Sequence, residues 1–464
     1  MTSMLDGCTP WPQGFVDRYW AAGHWRGTTL DSLLRGRALS HGPRTALVSC
    51  DGTRLTYAAL NRRVDRMAAG FRLLALRPGQ RVVVQLPNVP EFVVTVFALM
   101  RAGVVPVVCP VTHRAAEVSH LVHVTQAVGY VGPSTYEGFD HTAMAAGIAA
   151  RGPFLRRVFT REAPGASSPY GGYTTDPSGC HYFPLDSVDA PPAPPPALSA
   201  GQVAFFLLSA GTRTQSPLLV PRTHNDYAYQ AAACAEAVSL TEDDVYLAAL
   251  PATSSFALGS PGIIGTLSAG GTVVLAEDPD PAECLAAIAR ERVTVTSVVP
   301  DAARGWLDAL AAAPRADSGS LRLVQIGGEA PPHPETAERL ASALGCRLQQ
   351  VFCMAEGPLT LTRPADPDGT APGTQGRPLS PDDEIRIVGA DGEDVPDGEP
   401  GELLARGPHT VRGYYRAPEH DAYAFTADGW FRSGVLGRRT AGGELVVTCP
   451  DGVPERFGGG RFGG

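Results

Sequence analysis

Residues 207 to 217, reading LLSAGTRTQSP, follow an apolar run and gather four hydroxyl side chains around Gly211. A turn of this kind after a strand can aim backbone N–H groups and hydroxyls at phosphate oxygens. It is not a Walker loop, which needs GxxxxGK[ST]. The 38 basic residues are all arginine, for the chain contains no lysine. Schiff-base chemistry and any step on a lysine ammonium are therefore excluded. Nine cysteines stand singly from Cys8 to Cys449 without a CxxC pair, which speaks against a disulfide framework and a structural zinc site alike.

A loop of that type needs a sheet to hold it. From Thr45 onward short β-rich runs alternate with helix-length patterns, the rhythm of βαβ units around a largely parallel sheet. Strands are expected at 45–49, 81–86 and 104–108, with helices over 57–74 and 91–101. Residues 133–200 are poor in periodicity and end in the stiff connector APPAPPPA at 190–197. The alternation resumes with strands at 203–208, 245–250, 272–275, 293–299, 321–326 and 347–352. Beyond Gly376 short β-runs with turns point to a small barrel or antiparallel sheet. The expected fold is α/β: two doubly wound subdomains, 1–200 and 201–375, a small β subdomain, 376–448, and a disordered tail, 449–464.

The 464 residues suffice for several domains, and a net charge of −9 without an arginine stripe interleaved with aromatics gives no support to a nucleic-acid or membrane surface. No apolar run approaches the ~18 residues of a membrane span, and the N-terminus lacks a signal-peptide pattern, so a cytoplasmic protein acting on a small molecule is expected.

Longer segments carry a resemblance: GCTPWP at 7–12, VVQLPN at 83–88, PRTHNDY at 221–227, SPG at 260–262, QQVFCMAEG at 349–357 and GELLARGPHTVRGYY at 401–415. In this order they resemble the adenylate-forming superfamily, and within it the 2,3-dihydroxybenzoate or salicylate–AMP ligases of siderophore synthesis. The resemblance covers nearly all of residues 4 to 448. It implies the large N-terminal domain of an acyl-AMP ligase, with ATP and Mg²⁺ as cofactors. It further implies an aryl carboxylic acid or aryl-adenylate as ligand, and a carrier protein or biosynthetic enzyme as partner.

The resemblance also assigns residues. Glu356 matches the glutamate that holds Mg²⁺, and His224 and Arg222 offer positive charge nearby, His224 standing with Glu356 as a catalytic candidate. The phosphate loop comprises Ser209, Gly211, Thr212 and Arg213. The aryl-acid pocket comprises Ser254, Ser255, Phe256, Ser260, Gly327, Gly328 and Cys353. Serines 254 and 255 stand where the aryl acid ligases carry His-Asn.

Several positions depart from the family pattern. The phosphate loop SGGTTGTPK appears at 209–218 as SAGTRTQSPL, with Leu218 in place of lysine. The TGD motif that grips the ribose appears at 433–435 as SGV, with Val435 in place of aspartate. CPDGV at 449–453 stands for the GRxKD hinge motif, and no counterpart follows of the swinging C-terminal domain. Glu329 stands where the family carries a small residue. These changes imply a divergent aryl acid–AMP ligase homologue that binds an aryl acid or aryl-adenylate, with ATP-dependent adenylation impaired or lost and its scaffold repurposed for acyl transfer or condensation. The alternatives are an active ligase served by a partner C-terminal domain, and a non-catalytic assembly partner. The absence of lysine would spare such a protein acylation by an enclosed aryl-adenylate.

Overall fold

The computed structural model describes residues 4–162, 173–209, 216–277, 279–312, 318–366 and 370–448. Two large sheets form its body. The nine-stranded sheet runs, edge to edge, through Arg377–Pro378, Leu359–Leu361, Arg347–Cys353, Leu323–Gly328, Val295–Val298, Val245–Ala248, Thr272–Leu275, Thr45–Val48 and Arg54–Thr56. Its six strands from Arg347–Cys353 to Thr45–Val48 are parallel, with antiparallel edges. The eight-stranded sheet centres on the parallel strands Val105–Val108, Arg81–Val84, Gly129–Pro133 and Arg157–Arg161.

The inner strands are short apolar runs, VPVV at 105–108 and TVVL at 272–275, because a parallel strand is covered on both faces and has no solvent side to mark with polar residues. One apolar cluster joins the sheets: Val82, Val84 and Val108 from one, Ala46, Leu47, Val273 and Leu275 from the other, with the helix Pro90–Arg101 supplying Phe92, Val93 and Phe97. That helix is buried almost throughout, and Arg101 at its end is neutralised by Asp31 at 2.6 Å and Asp65 at 2.8 Å.

The sheets do not divide at residue 200. Thr45–Val48 pairs with Thr272–Leu275, whereas Val203–Leu208 and Leu219–Thr223 close the other sheet beside Val105–Val108. Each sheet thus takes strands from both expected subdomains, and the chain crosses between them. The segment expected to lack periodicity contains the helix His141–Arg151, capped by Asp140, and the strands Arg157–Arg161 and His181–Pro184.

The small β unit is a four-stranded antiparallel sheet, Glu384–Val388, Gly401–Arg406, Phe431–Arg439 and Leu445–Thr448. It is anchored on the body by a cluster in which Phe352, from the nine-stranded sheet, meets Ile387, Leu403, Leu445 and Val447. The tail expected at 449–464 lies outside the described residues. Among the described residues no helix is long and apolar enough to cross a membrane, and the eight cysteines form no disulfide.

Candidate active site

Leu323–Gly328 and Arg347–Cys353 run parallel in register, Gly327 beside Val351 and Gly328 beside Phe352, so Glu329 and Glu356 follow neighbouring carboxyl ends. In open α/β sheets that edge is where ligands are received. Gly327 has φ +149°, and a Cβ there would lie 1.8 Å from the Val351 carbonyl oxygen, so only glycine permits the two strands to end side by side.

Glu356 is 2% exposed. Its Oε1 accepts the Tyr414 hydroxyl at 2.7 Å, while Oε2 is buried with no protein partner among the described residues. Burial pushes this carboxyl above its ordinary value, and the Tyr414 hydrogen bond opposes that. The loop at 409–411 crosses directly over it: Val411 N–H donates to the Glu356 carbonyl at 2.8 Å, and a Cβ on Gly357 would stand 2.4 Å from the Thr410 Cα.

Arg222 locks the two segments together. Its guanidinium is wholly buried and donates to the carbonyls of Ala355 at 2.9 Å and His409 at 3.2 Å, to Gln230 Oε1 at 2.8 Å and to Asp226 Oδ1 at 2.8 Å. Asp226 in turn accepts from Thr223 in the capping box that starts the helix His224–Ala237. The positive charge expected near the site is therefore consumed in holding Glu356 in place. Gln230 passes the connection on, its Nε2 donating to Ser260 Oγ at 3.3 Å.

Ser260 opens the second half of the site. The Ser255 and Ser260 hydroxyls lie beside the buried Cys353 thiol, which burial pushes far above its ordinary value and keeps neutral. Phe256 packs with Cys353, Leu250 and Val351. The open Cα of Gly328 faces that ring, for a Cβ there would meet Phe256 Cδ1 at 4.0 Å. Five of the seven residues expected in an aryl slot, Ser255, Phe256, Ser260, Gly328 and Cys353, are thus brought together, with Gly327 fixing the strand end beneath them. Ser254 is spent elsewhere: its hydroxyl caps the short helix Ser255–Gly259 by accepting Ala257 N–H at 3.2 Å.

Glu329 follows Gly328 at the end of the strand Leu323–Gly328. It retains intermediate exposure, yet desolvation and the nearby Glu356 carboxylate push it up to about 8.

The nucleotide side looks different. Ser209 ends the strand Val203–Leu208 and closes a hairpin with Leu218: Ser209 N–H donates to the Leu218 carbonyl at 2.9 Å, and Leu218 N–H to Ser209 Oγ at 3.3 Å. Leu218 packs on the central apolar cluster. Gly211, Thr212 and Arg213 lie outside the described residues. Val435 packs against the cluster of Phe352, Ile387 and Leu403, and Ser433 donates to the Leu403 carbonyl at 2.7 Å.

His224 does not join these residues as a proton carrier. It is 1% exposed, its Nδ1 accepts Leu30 N–H at 3.3 Å at the start of the helix Leu30–Ser40, and burial lowers it to about 4. A neutral imidazole spent on a helix terminus is a structural group. Tyr414, Gln230 and Asp226 are the site residues that sequence reasoning missed. Asp226 and Gln230 stand four and eight residues after Arg222, a helical spacing that could have linked them; Tyr414 is 58 residues from Glu356, and no local pattern connects them.

The fold and the site together define an α/β protein in which hydroxyls, a thiol and two carboxyls gather at the carboxyl ends of parallel strands. Residues 34–415 match the model of the AMP-binding enzyme family, to which this chain belongs. It is 41% identical over 444 residues to the 2,3-dihydroxybenzoate-AMP ligase of Bacillus subtilis, covering 96% of this chain and 79% of that protein. It is 44% identical over 449 residues to the salicyl-AMP ligase / salicyl-S-ArCP synthetase of Mycobacterium tuberculosis, covering 96% of this chain and 77% of that protein. The apo structure of MbtA from Mycobacterium smegmatis superimposes with a TM-score of 0.86 at 42% identity, over 95% of this chain and 79% of that one.

Proposed function

We propose that this protein binds an aryl carboxylic acid in the recess of Ser255, Phe256, Ser260 and Cys353, as a divergent aryl acid–AMP ligase in which ATP-dependent adenylation is impaired. The observation that carries the reading is the asymmetry of the two halves. The acid side assembles a flat apolar floor, Phe256 and Gly328, beside hydroxyl and thiol groups able to orient a carboxylate or ring substituent. On the nucleotide side, the two positions that would meet ribose and phosphate with charge carry Val435 and Leu218, each packed on an apolar cluster. Adenylation gathers negative charge at phosphorus, and the groups that would neutralise it are fewer here.

A divalent cation fits what remains. Among the described residues Glu356 Oε2 is a buried acceptor without a donor, suited to a hard ion; Tyr414 holds the carboxylate through Oε1, and Arg222 holds the neighbouring Ala355 carbonyl. When bound, Mg²⁺ would neutralise nucleotide phosphates. This free oxygen also favours a second reading, a working aryl acid ligase, and the names of the two relatives given above support the same substrate class. An acyl-carrier protein or biosynthetic enzyme would then take the product.

Calorimetric titrations with salicylate, 2,3-dihydroxybenzoate and Mg-ATP, run beside ATP–pyrophosphate exchange, decide the matter. Acid binding with weak nucleotide binding and slow exchange is expected. Robust exchange establishes the second reading; absence of any aryl acid binding overturns both.

A further inference from the structure

The small sheet leaves part of one strand edge bare. Phe431–Arg439 pairs on one side with Gly401–Arg406; on the other it pairs with Leu445–Thr448 as far as Leu436, which stands across from Thr448, and again at Phe431 through a bridge to Phe425. Between Leu436 and Phe431 that second edge has no strand beside it among the described residues. An open groove of about 710 Å³ spans this stretch, lined by Glu402, Tyr423, Phe425, Thr426, Gly434 and Leu436. Of the six exposed large apolar side chains among the described residues, two, Tyr423 at 75% and Leu436 at 41%, stand in it. Apolar surface gathered in a concavity marks a place where something docks.

The path of the chain identifies the occupant. Leu445–Thr448 runs antiparallel to Phe431–Arg439, so at Thr448 it is heading from Leu436 toward Gly434 and the Phe425–Phe431 bridge, along the groove. The sequence that follows, CPDGVPERFGGGRFGG, holds two phenylalanines, Phe457 and Phe462, each preceded by arginine and followed by glycine. The bare edge from Leu436 to Phe431 measures about 17 Å, and the residues from Thr448 to Phe457 can extend about 30 Å, so the first phenylalanine reaches every part of it. Charge agrees with this. The helix Pro418–Ala424, which supplies Tyr423, carries Glu419 and Asp421 and no arginine, whereas Arg456 and Arg461 stand beside the phenylalanines.

We propose that this groove is an intramolecular docking site for residues 449–464, whose phenylalanines seat against Tyr423 and Leu436. The rings withdraw apolar surface from water, the glycines let the backbone pass close to the strand, and the arginines are drawn to the acidic helix. The assignment does not depend on the aryl-acid reading.

Two measurements on the full chain test it. Hydrogen exchange read by mass spectrometry compares wild type with the double variant Phe457→Ser, Phe462→Ser. Amides of residues 422–436 are expected to exchange about tenfold faster in the variant, while those of Leu323–Gly328 stay unchanged and show the body intact. Trypsin cleaves after arginine, and loss of the residues beyond Arg456 is read by intact mass. That cleavage is expected to be about tenfold faster in the double variant Tyr423→Ser, Leu436→Ser, whose two side chains are exposed and carry little of the fold. Equal exchange at 422–436 in wild type and the phenylalanine variant overturns the assignment, and so does equal cleavage after Arg456 in wild type and the groove variant. Protection of 422–436 that rises with protein concentration, alongside a dimer in sedimentation, gives the groove to a second copy and overturns it as well.

Discussion

The Tyr414 hydroxyl donates to Glu356 Oε1 at 2.7 Å and leaves the other carboxylate oxygen, Oε2, buried without a partner among the described residues. The contact joins the strand end at Cys353 to the loop that leads out of the small sheet, and it favours the ionised carboxylate against its burial. Tyr414→Phe is expected to weaken divalent cation binding about tenfold, the usual loss when a group orienting a metal ligand is removed. Titration with Mn²⁺ followed by electron paramagnetic resonance measures this, with Glu356→Gln as the variant that loses the ion. Equal affinity in Tyr414→Phe and wild type would show that the hydroxyl does not orient the carboxylate.

Arg222 is expected to behave as a structural clamp. Four of its five N–H donors are taken by Asp226, Gln230 and two carbonyls, and the side chain is wholly buried. Arg222→Met leaves Asp226 as a buried, unpaired carboxylate and should cost about 3–5 kcal/mol of stability in chemical denaturation. The additional change Asp226→Asn should recover part of that loss, because the two residues are in contact and their effects do not add. A destabilisation well under 1 kcal/mol in the single variant would contradict the clamp.

The strands were legible where an apolar β-branched run is bounded by turns: 203–208 and 272–275 begin and end where the alternation places them. Their partners were not. Thr45–Val48 and Thr272–Leu275 are each four residues long and apolar, and nothing in such a run encodes its neighbour across more than 200 residues of chain. The nearness of Ser260 to Cys353 was legible through the SPG and QQVFCMAEG motifs. Arg222 was misleading. A charged residue near a site reads as a ligand group until its burial is known, and burial depends on the loop at 409–411 that folds back over it. His224 misled for the same reason, since its neighbour Leu30 arrives from the other end of the chain.

Stability should carry a signature of Glu329. The folded protein raises this carboxyl from an ordinary 4.5 to about 8, so the native state binds its proton more tightly than the unfolded chain does. Where the native state holds more protons, stability falls as pH rises. The penalty is absent below the ordinary value, grows through the window up to about 8 and is constant above it. Glu329→Gln has no such titration. Its melting temperature should match wild type at the acid end of the window and exceed it at the alkaline end. A constant difference across the window would mean that Glu329 is ionised throughout.

Val435 offers the direct test of the nucleotide side. Its side chain is half-buried against Phe352, Ile387 and Leu403, and it stands where the resembling family's TGD motif carries aspartate. Gly434, at φ +70°, and the Ser433 hydroxyl, which accepts Val435 N–H at 3.1 Å, already hold the turn in shape. Val435→Asp should therefore add an acceptor without rebuilding the backbone. A hydrogen bond to a charged group contributes about 1.5–3 kcal/mol, so AMP affinity measured by calorimetry should rise at least about tenfold. The same change withdraws apolar surface from the cluster joining the small sheet to the body, and a modest fall in melting temperature should accompany it. Tight AMP binding by the wild type, unimproved in Val435→Asp, would show that this turn does not limit how the protein holds a nucleotide.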